Sequence, residues 1–185
     1  MDTKTGLVLG ARVPGQGTVG DAAEPLNILI VTADDGLAQR VAARLEADGQ
    51  GKHRIIHLHC LADALIEVVV TPIDAILLDF WLPDSKGLET VITMVRGARA
   101  IPVIVLSGAG EEGLVQDSFR YGVRDYFQKT ALAYTFLLGR IQIAIERHIY
   151  CQSVDQRSRE LELERVRYRR QDHDPAPAQD HLEAA

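Results

Sequence analysis

The sequence predicts an open α/β sandwich, in which helices cover both faces of a parallel sheet. Five short apolar runs recur along the chain, separated by segments with helical spacing. Three of these runs, ILIV, AILL and VIVL, are apolar at every position, as expected of strands that are buried on both faces. This regular alternation of strand and helix favours parallel strands joined by helical crossovers.

The five predicted strands are LNILIV, RIIHLH, AILLDF, PVIVLS and DYFQ, in chain order. A helix is predicted after the first strand, because Leu37, Val41 and Leu45 stand four residues apart on one face. Gly49 and Gly51 are predicted to end it. After the fifth strand, a helical apolar stripe predicts a C-terminal helix that closes the sandwich and continues past it. The stripe consists of Leu137, Leu138, Ile141, Ile145 and Ile149.

Composition shifts divide the 185 residues into one globular domain and its flanking segments. The N-terminal segment is rich in glycine and small residues, with prolines at Pro14 and Pro25, and carries too little apolar periodicity to bury a face. The predicted segments are a flexible arm over residues 1–25, a globular domain over 26–148, a helical extension over 149–172 and a disordered tail over 173–185.

The helical extension carries half of a coiled-coil pattern. Val154, Leu161 and Tyr168 recur every seven residues, but the seam positions between them are charged or polar. We therefore expect that the chain can form a homodimer through its C-terminal helix. The dense basic run RVRYRR, residues 165–170, is interpreted as part of a solvated helix face.

Composition and charge argue against several classes of protein. A net charge of −6 and a pI near 5.5 argue against the broad electropositive surface of a nucleic-acid-binding protein. Cys60 and Cys151 lie far apart without CxxC spacing, so neither a disulfide framework nor a thiolate metal site is predicted. The N-terminus lacks an export signal, and no apolar run approaches the ~18 residues of a membrane span. A cytoplasmic protein without nucleic-acid or membrane partners is expected.

Polar side chains stand at the ends of four of the five predicted strands. The first strand is followed by Thr32, Asp34 and Asp35, with Ala33 between them. Asp79 ends the third strand, Ser107 ends the fourth and Lys129 follows the fifth. In open α/β sheets the reactive side chains collect beyond the carboxyl ends of the strands, so these residues are predicted to form a site.

Three segments, ILLDFWLPDSKGLE, PVIVLSGAGEEG and YGVRDYFQKT, resemble the third, fourth and fifth strand ends of a response-regulator receiver domain, the CheY-like domain of two-component signalling. The resemblance covers about residues 26–148, with D-x-x-L-P, a strand-terminal Ser-Gly and D-Y-x-x-K in that order. It implies a flavodoxin-like (βα)5 fold, doubly wound, with strand order 2-1-3-4-5 and an extended C-terminal helix. In that order the first and third strand ends lie side by side.

The resemblance implies roles for four residues. Asp79 would be the phosphoacceptor, whose carboxylate attacks a phosphoryl group to form an acyl phosphate. Lys129 would bind the carboxylate and then the phosphoryl oxygens. Ser107 and Tyr126 would be the switch pair, a hydroxyl that reaches the phosphoryl group and a ring that moves inward with it. The alternatives are a strand-end turn at Ser107 and an ordinary half-buried tyrosine at Tyr126.

The chain departs from the family pattern after the first strand, where an adjacent acidic pair holds Mg²⁺ together with the phosphoacceptor. Here those two positions are Thr32 and Ala33, and the carboxylates of Asp34 and Asp35 are displaced by two residues. Mg²⁺ requires oxygen ligands at ~2.0–2.1 Å, and a strand residue advances ~3.3 Å, so displaced carboxylates cannot simply substitute. We expect weakened Mg²⁺ binding by Asp79, with Asp34 contributing at most through water. Helix N-capping by Asp34 or Asp35 is favoured over direct metal ligation.

A second departure lies at Thr130, where many receivers have a proline whose peptide bond with the lysine is cis. A cis bond before a residue other than proline costs ~2.5–4 kcal/mol, so the Lys129–Thr130 bond is expected to be trans or strained.

Two other patterns are outweighed by their context. GQGTVG, residues 15–20, matches a dinucleotide-binding fingerprint by letter but lacks the strand before it and the helix after it. His53, His57, His59 and Cys60 cluster around the second strand. Without a second group of ligands, this cluster is interpreted as strand decoration rather than a zinc site.

Two functional hypotheses follow. In the first, the chain is a single receiver domain that a histidine kinase or phosphotransfer protein phosphorylates on Asp79, and that signals to a downstream protein through its Ser107/Tyr126 face and C-terminal helix. The alternative is a phosphorylation-independent pseudo-receiver, acting as a binding or dimerisation module. An aspartyl phosphohydrolase of the haloacid dehalogenase type needs a second aspartate where Trp81 stands, so no enzyme activity beyond weak self-dephosphorylation is expected.

Overall fold

The computed structural model describes residues 25–49, 52–98, 100–130 and 136–171. The predicted N-terminal arm, apart from its last residue, and the predicted tail lie outside these ranges. The chain divides into two units, of which the first ends at Ile149 and the second begins at Tyr150.

The first unit is built on a five-stranded parallel sheet. Its strands are β1 (Asn27–Val31), β2 (Arg54–Leu58), β3 (Ala75–Asp79), β6 (Val103–Ser107) and β7 (Asp125–Gln128). They are arranged in the order β2-β1-β3-β6-β7. This order confirms the flavodoxin-like prediction, since the five sheet strands taken in chain order stand as 2-1-3-4-5.

Each predicted strand segment contains one of these strands, and the connections between them carry the helices. The first helix ends at Gly49, as predicted, and the stripe of Leu37, Val41 and Leu45 is buried. The helices are α1 (Asp35–Gly49), α2 (Leu61–Val70), α3 (Leu88–Gly97), α4 (Glu112–Arg120) and α5 (Leu137–Gln171).

Successive strand residues face opposite sides of the sheet, and both sides are covered. Ile28 and Ile30 pack in a cluster with residues of α1 and the start of α5. Leu29 and Val31 pack in a second cluster with residues of α2, α3 and α4. Because both clusters exclude water, the three central strands β1, β3 and β6 are apolar along their length, and their polar residues stand at the strand ends.

A short hairpin between β3 and α3 was not predicted from the sequence. It pairs β4 (Trp81–Leu82) with β5 (Ser85–Lys86) in antiparallel register. Gly87 follows with a φ of 61°, a conformation that favours glycine, and its amide donates to the Phe80 carbonyl at 2.8 Å. The hairpin and this hydrogen bond hold the backbone that follows Asp79 in one conformation.

The C-terminal helix α5 contributes to both units. In the first unit, Leu137, Ile141 and Ile145 are buried and Ile149 is partly buried against the core, as the predicted stripe requires. In the second unit, Val154, Leu161 and Tyr168 are exposed. None of the helices in the described part of the chain has the length and apolar character that a membrane crossing requires.

Candidate functional site

Asp79, the last residue of β3, is the centre of a polar pocket at the carboxyl end of the sheet. Its side chain is buried, and Lys129 Nζ lies 2.8 Å from both carboxylate oxygens. The Thr32 hydroxyl donates to Asp79 Oδ2 at 2.9 Å, and the Trp81 amide donates to Oδ1 at 3.3 Å. A buried carboxylate is costly without such partners, and here three donors stabilise its charge.

Lys129 reaches Asp79 across the intervening strand β6. Its amide donates to the Ser107 carbonyl at 2.8 Å, which continues the β6·β7 ladder past Gln128. Two strand spacings, roughly 10 Å, separate β7 from β3, and the long lysine stem, the hydrogen bond and the Asp79 side chain together bridge that distance. The parallel order of the sheet therefore brings the predicted acid and amine together.

Ser107 ends β6 beside the strand that carries Asp79, since Asp79 pairs in register with Leu106. The serine side chain is buried, and its hydroxyl donates to the Phe127 carbonyl at 3.4 Å, a long hydrogen bond. In this structure the hydroxyl is therefore directed to β7 by a weak contact.

Tyr126 lies on the opposite side of β7 from the buried Phe127. Its side chain is 36% exposed, and its ring packs edge-to-face against Phe119 of α4, with centroids 6.3 Å apart. The two aromatic rings form a half-open face between α4 and β7.

The residues after β1 occupy two different environments. Thr32 is fully buried and belongs to the Asp79 pocket, whereas Ala33, Asp34 and Asp35 are exposed. Asp34 Oδ1 accepts the Leu37 amide at 2.9 Å, which confirms the predicted helix N-cap. The Asp34 amide in turn donates to the Thr32 hydroxyl oxygen at 3.3 Å. Thr32 thus connects the start of α1 to Asp79.

The donors around Asp79 do not fit a tight Mg²⁺ site. Thr32 supplies a neutral hydroxyl where an acid pair would begin, Ala33 supplies no ligand atom, and the Asp34 carboxylate oxygen Oδ1 is engaged in the helix cap. Mg²⁺ is usually bound through carboxylates and water in a near-octahedral shell. A single carboxylate that is already paired with an ammonium group supplies too few oxygen ligands for such a shell.

Glu111 was not predicted as a site residue, although it joins two of the strand-end loops. Its Oε1 accepts the Trp81 indole N–H at 2.6 Å, and its Oε2 accepts the Gly108 amide at 2.6 Å. The loop after β3 and the loop after β6 are therefore linked through one half-buried carboxylate. No local sequence pattern signals this contact, because Glu111 and Trp81 lie 30 residues apart.

Asp84 was also missed, and its role is to cap a helix from a distant loop. The amides of Leu61 and Ala62, at the start of α2, both donate to its carboxylate at 2.9 Å. Desolvation alone would raise the pKa of Asp84, but these amides and its own amide hold the pKa below its ordinary value. The hairpin after Asp79 is thus anchored to α2.

The peptide bond after Lys129 is trans. The described residues contain no cis peptide bond, and Lys129 and Thr130 are both among them. Of the two alternatives expected from the sequence, a trans or a strained bond, the structure has the trans bond.

Comparisons with known proteins agree with this architecture. The family model described as "Response regulator receiver domain" matches residues 24–137. The KDP operon transcriptional regulatory protein KdpE of Escherichia coli K12 is 34% identical over 122 residues, covering 66% of this chain and 52% of KdpE. The transcriptional regulatory protein DcuR of the same organism is 38% identical over 85 residues, covering 43% of this chain and 36% of DcuR. The chain thus matches about half or less of each relative.

Solved structures show the same fold. NtrX from Brucella abortus, in complex with ADP, superposes with a TM-score of 0.58 at 22% sequence identity, covering 71% of this chain and 29% of that one. At this identity the likeness concerns the fold alone.

Proposed function

The chain belongs to the response-regulator receiver domain family, and from that membership we propose that it accepts a phosphoryl group on Asp79 in two-component signal transduction. One observation carries the proposal, namely the pairing of the buried Asp79 carboxylate with Lys129 at the carboxyl end of β3.

The proposed reaction is nucleophilic attack by an Asp79 carboxylate oxygen on the phosphorus of a phosphohistidine in a partner protein. A phosphorus–oxygen bond forms, the phosphorus–nitrogen bond breaks, and the leaving imidazole takes up a proton from solvent. The product is an acyl phosphate on Asp79. The phosphoryl donor is a histidine kinase or a phosphotransfer protein.

In this proposal Lys129 balances the charge of the Asp79 carboxylate, and Thr32 orients that carboxylate. Lys129 approaches the pocket as a point charge, which suits the carboxylate before transfer and the phosphoryl oxygens after it. Besides Lys129, each Asp79 oxygen accepts one further hydrogen bond. The bond from the Thr32 hydroxyl to Oδ2 is 2.9 Å long, whereas the bond from the Trp81 amide to Oδ1 is longer and weaker, at 3.3 Å. We propose Oδ1 as the attacking atom.

Receiver domains generally bind Mg²⁺ through acidic residues. We propose that this chain binds Mg²⁺ more weakly than a receiver with an intact acidic pair, because Thr32 and Ala33 occupy the pair positions. Asp79 would be its carboxylate ligand, and Asp34 would contribute at most through water.

The proposed output surface is the face between α4 and β7. The long hydrogen bond from Ser107 to the Phe127 carbonyl is weak, so a phosphoryl oxygen on Asp79 would compete for that hydroxyl. Movement of the serine would make room for the Tyr126 ring, which now packs against Phe119. A downstream protein would recognise the altered face.

We propose that the receiver domain spans residues 26–148 and that the helical extension over 149–172 supports a homodimer. Within the second unit, the heptad residues Val154, Leu161 and Tyr168 are exposed and available to a second copy. No enzyme activity other than slow loss of its own acyl phosphate is assigned to the chain.

The test is incubation of the full chain with a small phosphodonor such as acetyl phosphate, with and without Mg²⁺, followed by intact mass measurement. Addition of one phosphoryl group to the native chain, and none to Asp79→Asn, is expected. The adduct should be lost at alkaline pH, as an acyl phosphate is. No adduct with any donor, at any Mg²⁺ concentration, would overturn the proposal in favour of a phosphorylation-independent binding module.

A further inference from the structure

A second group of ionisable side chains lies beside the Asp79 pocket, at the ends of β1 and β2. Asp35 begins α1, His57 lies in β2, and His59 follows β2. His59 Nε2 is 2.7 Å from Asp35 Oδ1, and His57 Nδ1 is 3.9 Å from the same oxygen. One ligand atom from each residue lies within 4.8 Å of the other two, the single grouping of this kind among the described residues.

The pairing of β1 with β2 brings these residues together. Val31 lies opposite Leu58 in the parallel register, so the chain segments that leave both strands begin side by side. His57 and His59, two residues apart, share a face, and their ring centroids are 4.5 Å apart. His53 does not join them, because its Nδ1 accepts the Leu26 amide at 3.0 Å.

The hydrogen bond of His57 prepares its other nitrogen as a ligand. His57 Nε2 lies 2.9 Å from the Thr32 carbonyl oxygen, which can only accept a hydrogen bond, so Nε2 carries the proton. In the neutral ring Nδ1 then has the free electron pair, and this atom faces Asp35. Metal-binding histidines usually donate their second ring N–H to a carbonyl or carboxylate in this way.

The separation of the ligand atoms fits one transition-metal ion. Ligands at ~2.0–2.2 Å from a tetrahedral ion are roughly 3.3–3.6 Å apart. The distances of 2.7 and 3.9 Å from Asp35 Oδ1 bracket that range. Small side-chain rotations would equalise them, and the exposed Asp35 and His59, with side chains 71% and 57% accessible, are free to make such rotations.

We propose that Asp35, His57 and His59 bind one divalent transition-metal ion of the zinc class, with water completing the coordination shell. Imidazole nitrogens favour Zn²⁺ and its neighbours, whereas Mg²⁺ and Ca²⁺ prefer oxygen ligands. The site is separate from the proposed phosphoacceptor, since none of its three side chains contributes a hydrogen bond to Asp79. It therefore does not depend on the proposed function.

The first test is calorimetric titration of the full chain with Zn²⁺ in a buffer free of chelators. One ion per chain is expected, with a dissociation constant raised at least about tenfold by His57→Gln, His59→Gln or Asp35→Asn. A double variant, His173→Gln with His181→Gln, is the matched control, because both histidines stand near the C-terminal end of the sequence, far along the chain from the three proposed ligands. Circular dichroism of each variant checks that its fold is retained.

Nitrogen-15 NMR of the histidine rings gives a second readout that a merely structural role would not produce. Zn²⁺ should shift the resonances of Nδ1 of His57 and Nε2 of His59, and the proton on Nε2 of His57 should remain.

The proposal is overturned if no stoichiometric binding occurs, if the His57 and His59 variants bind like the native chain, or if the His173/His181 control loses the binding. Asp79→Asn should bind Zn²⁺ normally while forming no acyl phosphate, so this proposal and the proposed function can fail separately.

Discussion

The ends of β3 and β1 are neighbours in the sheet, yet their carboxylates lie in opposite environments. Asp79 is 4% exposed and accepts contacts from Lys129, Thr32 and the Trp81 amide. Asp34 and Asp35 are exposed, and they contact the first turn of α1 and the histidines of the β2 end. A displacement of two residues along the chain thus removes an acid from the pocket and gives it another partner. Position relative to the strand end, more than the number of acids, decides which carboxylates can act together.

The largest expected effect concerns the buried pair. Replacing Lys129 with methionine leaves the Asp79 carboxylate buried without its countercharge, and should lower the free energy of unfolding by about 3 kcal/mol. In an Asp79→Asn background the same substitution should cost less than about 1 kcal/mol, because no charge is left unpaired. Urea denaturation of the four proteins measures the difference. Lys86→Met, at an exposed lysine of the hairpin, is the control, and equal costs in both backgrounds would contradict the coupling.

The second-largest loss of stability is expected when the Thr32 hydroxyl is removed. Thr32→Val keeps the shape of the side chain but removes the hydrogen bond to the Asp79 carboxylate, and should cost about 2 kcal/mol, as expected for a hydrogen bond to a charged group. Thr32→Ser, which retains the hydroxyl, should keep most of that stability. If the valine and serine variants unfold at the same urea concentration, the hydroxyl does not stabilise the pocket.

Adding an acid to the Asp79 pocket tests whether the missing carboxylate is what weakens Mg²⁺ binding. Thr32→Asp places a carboxylate beside Asp79 and should raise the Mg²⁺ affinity on the order of tenfold, because affinity grows with ligand charge. Trp81, two residues beyond Asp79, reports binding by its fluorescence. Glu46→Ala is the matched control, because it removes an exposed acid of α1 outside the pocket, and it should leave the affinity nearly unchanged. A native chain that already binds as tightly as Thr32→Asp would contradict our account of the displaced acids.

The smallest effect is expected at the helix cap of Asp84. Asp84→Ala should lower the free energy of unfolding by about 1 kcal/mol at neutral pH, because two amides at the start of α2 lose their acceptor. The folded-state pKa of Asp84 is lowered, so its contribution is present above the unfolded pKa of about 3.9 and is lost as the pH falls through the folded pKa.

Urea denaturation from neutral pH to about pH 3 should therefore show the native chain and Asp84→Ala converging in stability. Asp84→Asn keeps a neutral oxygen acceptor, so its difference from Asp84→Ala should not depend on pH. A gap between the native chain and Asp84→Ala that stays constant to the lowest pH would show that the charge of Asp84 is unimportant.

Most of the fold could be predicted from the sequence, because local patterns carry it. Runs of apolar residues mark strands buried on both faces, and the spacing of Leu37, Val41 and Leu45 marks the buried face of α1. The strand order came from resemblance to a family, since hydrophobic periodicity does not specify which strands are neighbours. With that order, the contact between Asp79 and Lys129 follows from the sheet.

The contacts that escaped prediction join residues distant in the chain through side-chain geometry. Glu111 with Trp81, and Asp84 with the start of α2, depend on how loops fold over the strand ends. The histidines of β2 were interpreted as strand decoration because no second group of ligands stood near them in sequence. Their partner, Asp35, lies 24 residues before His59, and only the pairing of β1 with β2 brings it near.

The central proposal, that Asp79 rather than the exposed Asp34 or Asp35 accepts a phosphoryl group, can be tested by trapping the product. Borohydride reduces an aspartyl phosphate to homoserine, and peptide mass spectrometry then locates the changed residue. Our account predicts homoserine at position 79 after treatment with a phosphodonor, and unchanged Asp34 and Asp35. Homoserine at either of those two positions, or at none, would contradict it.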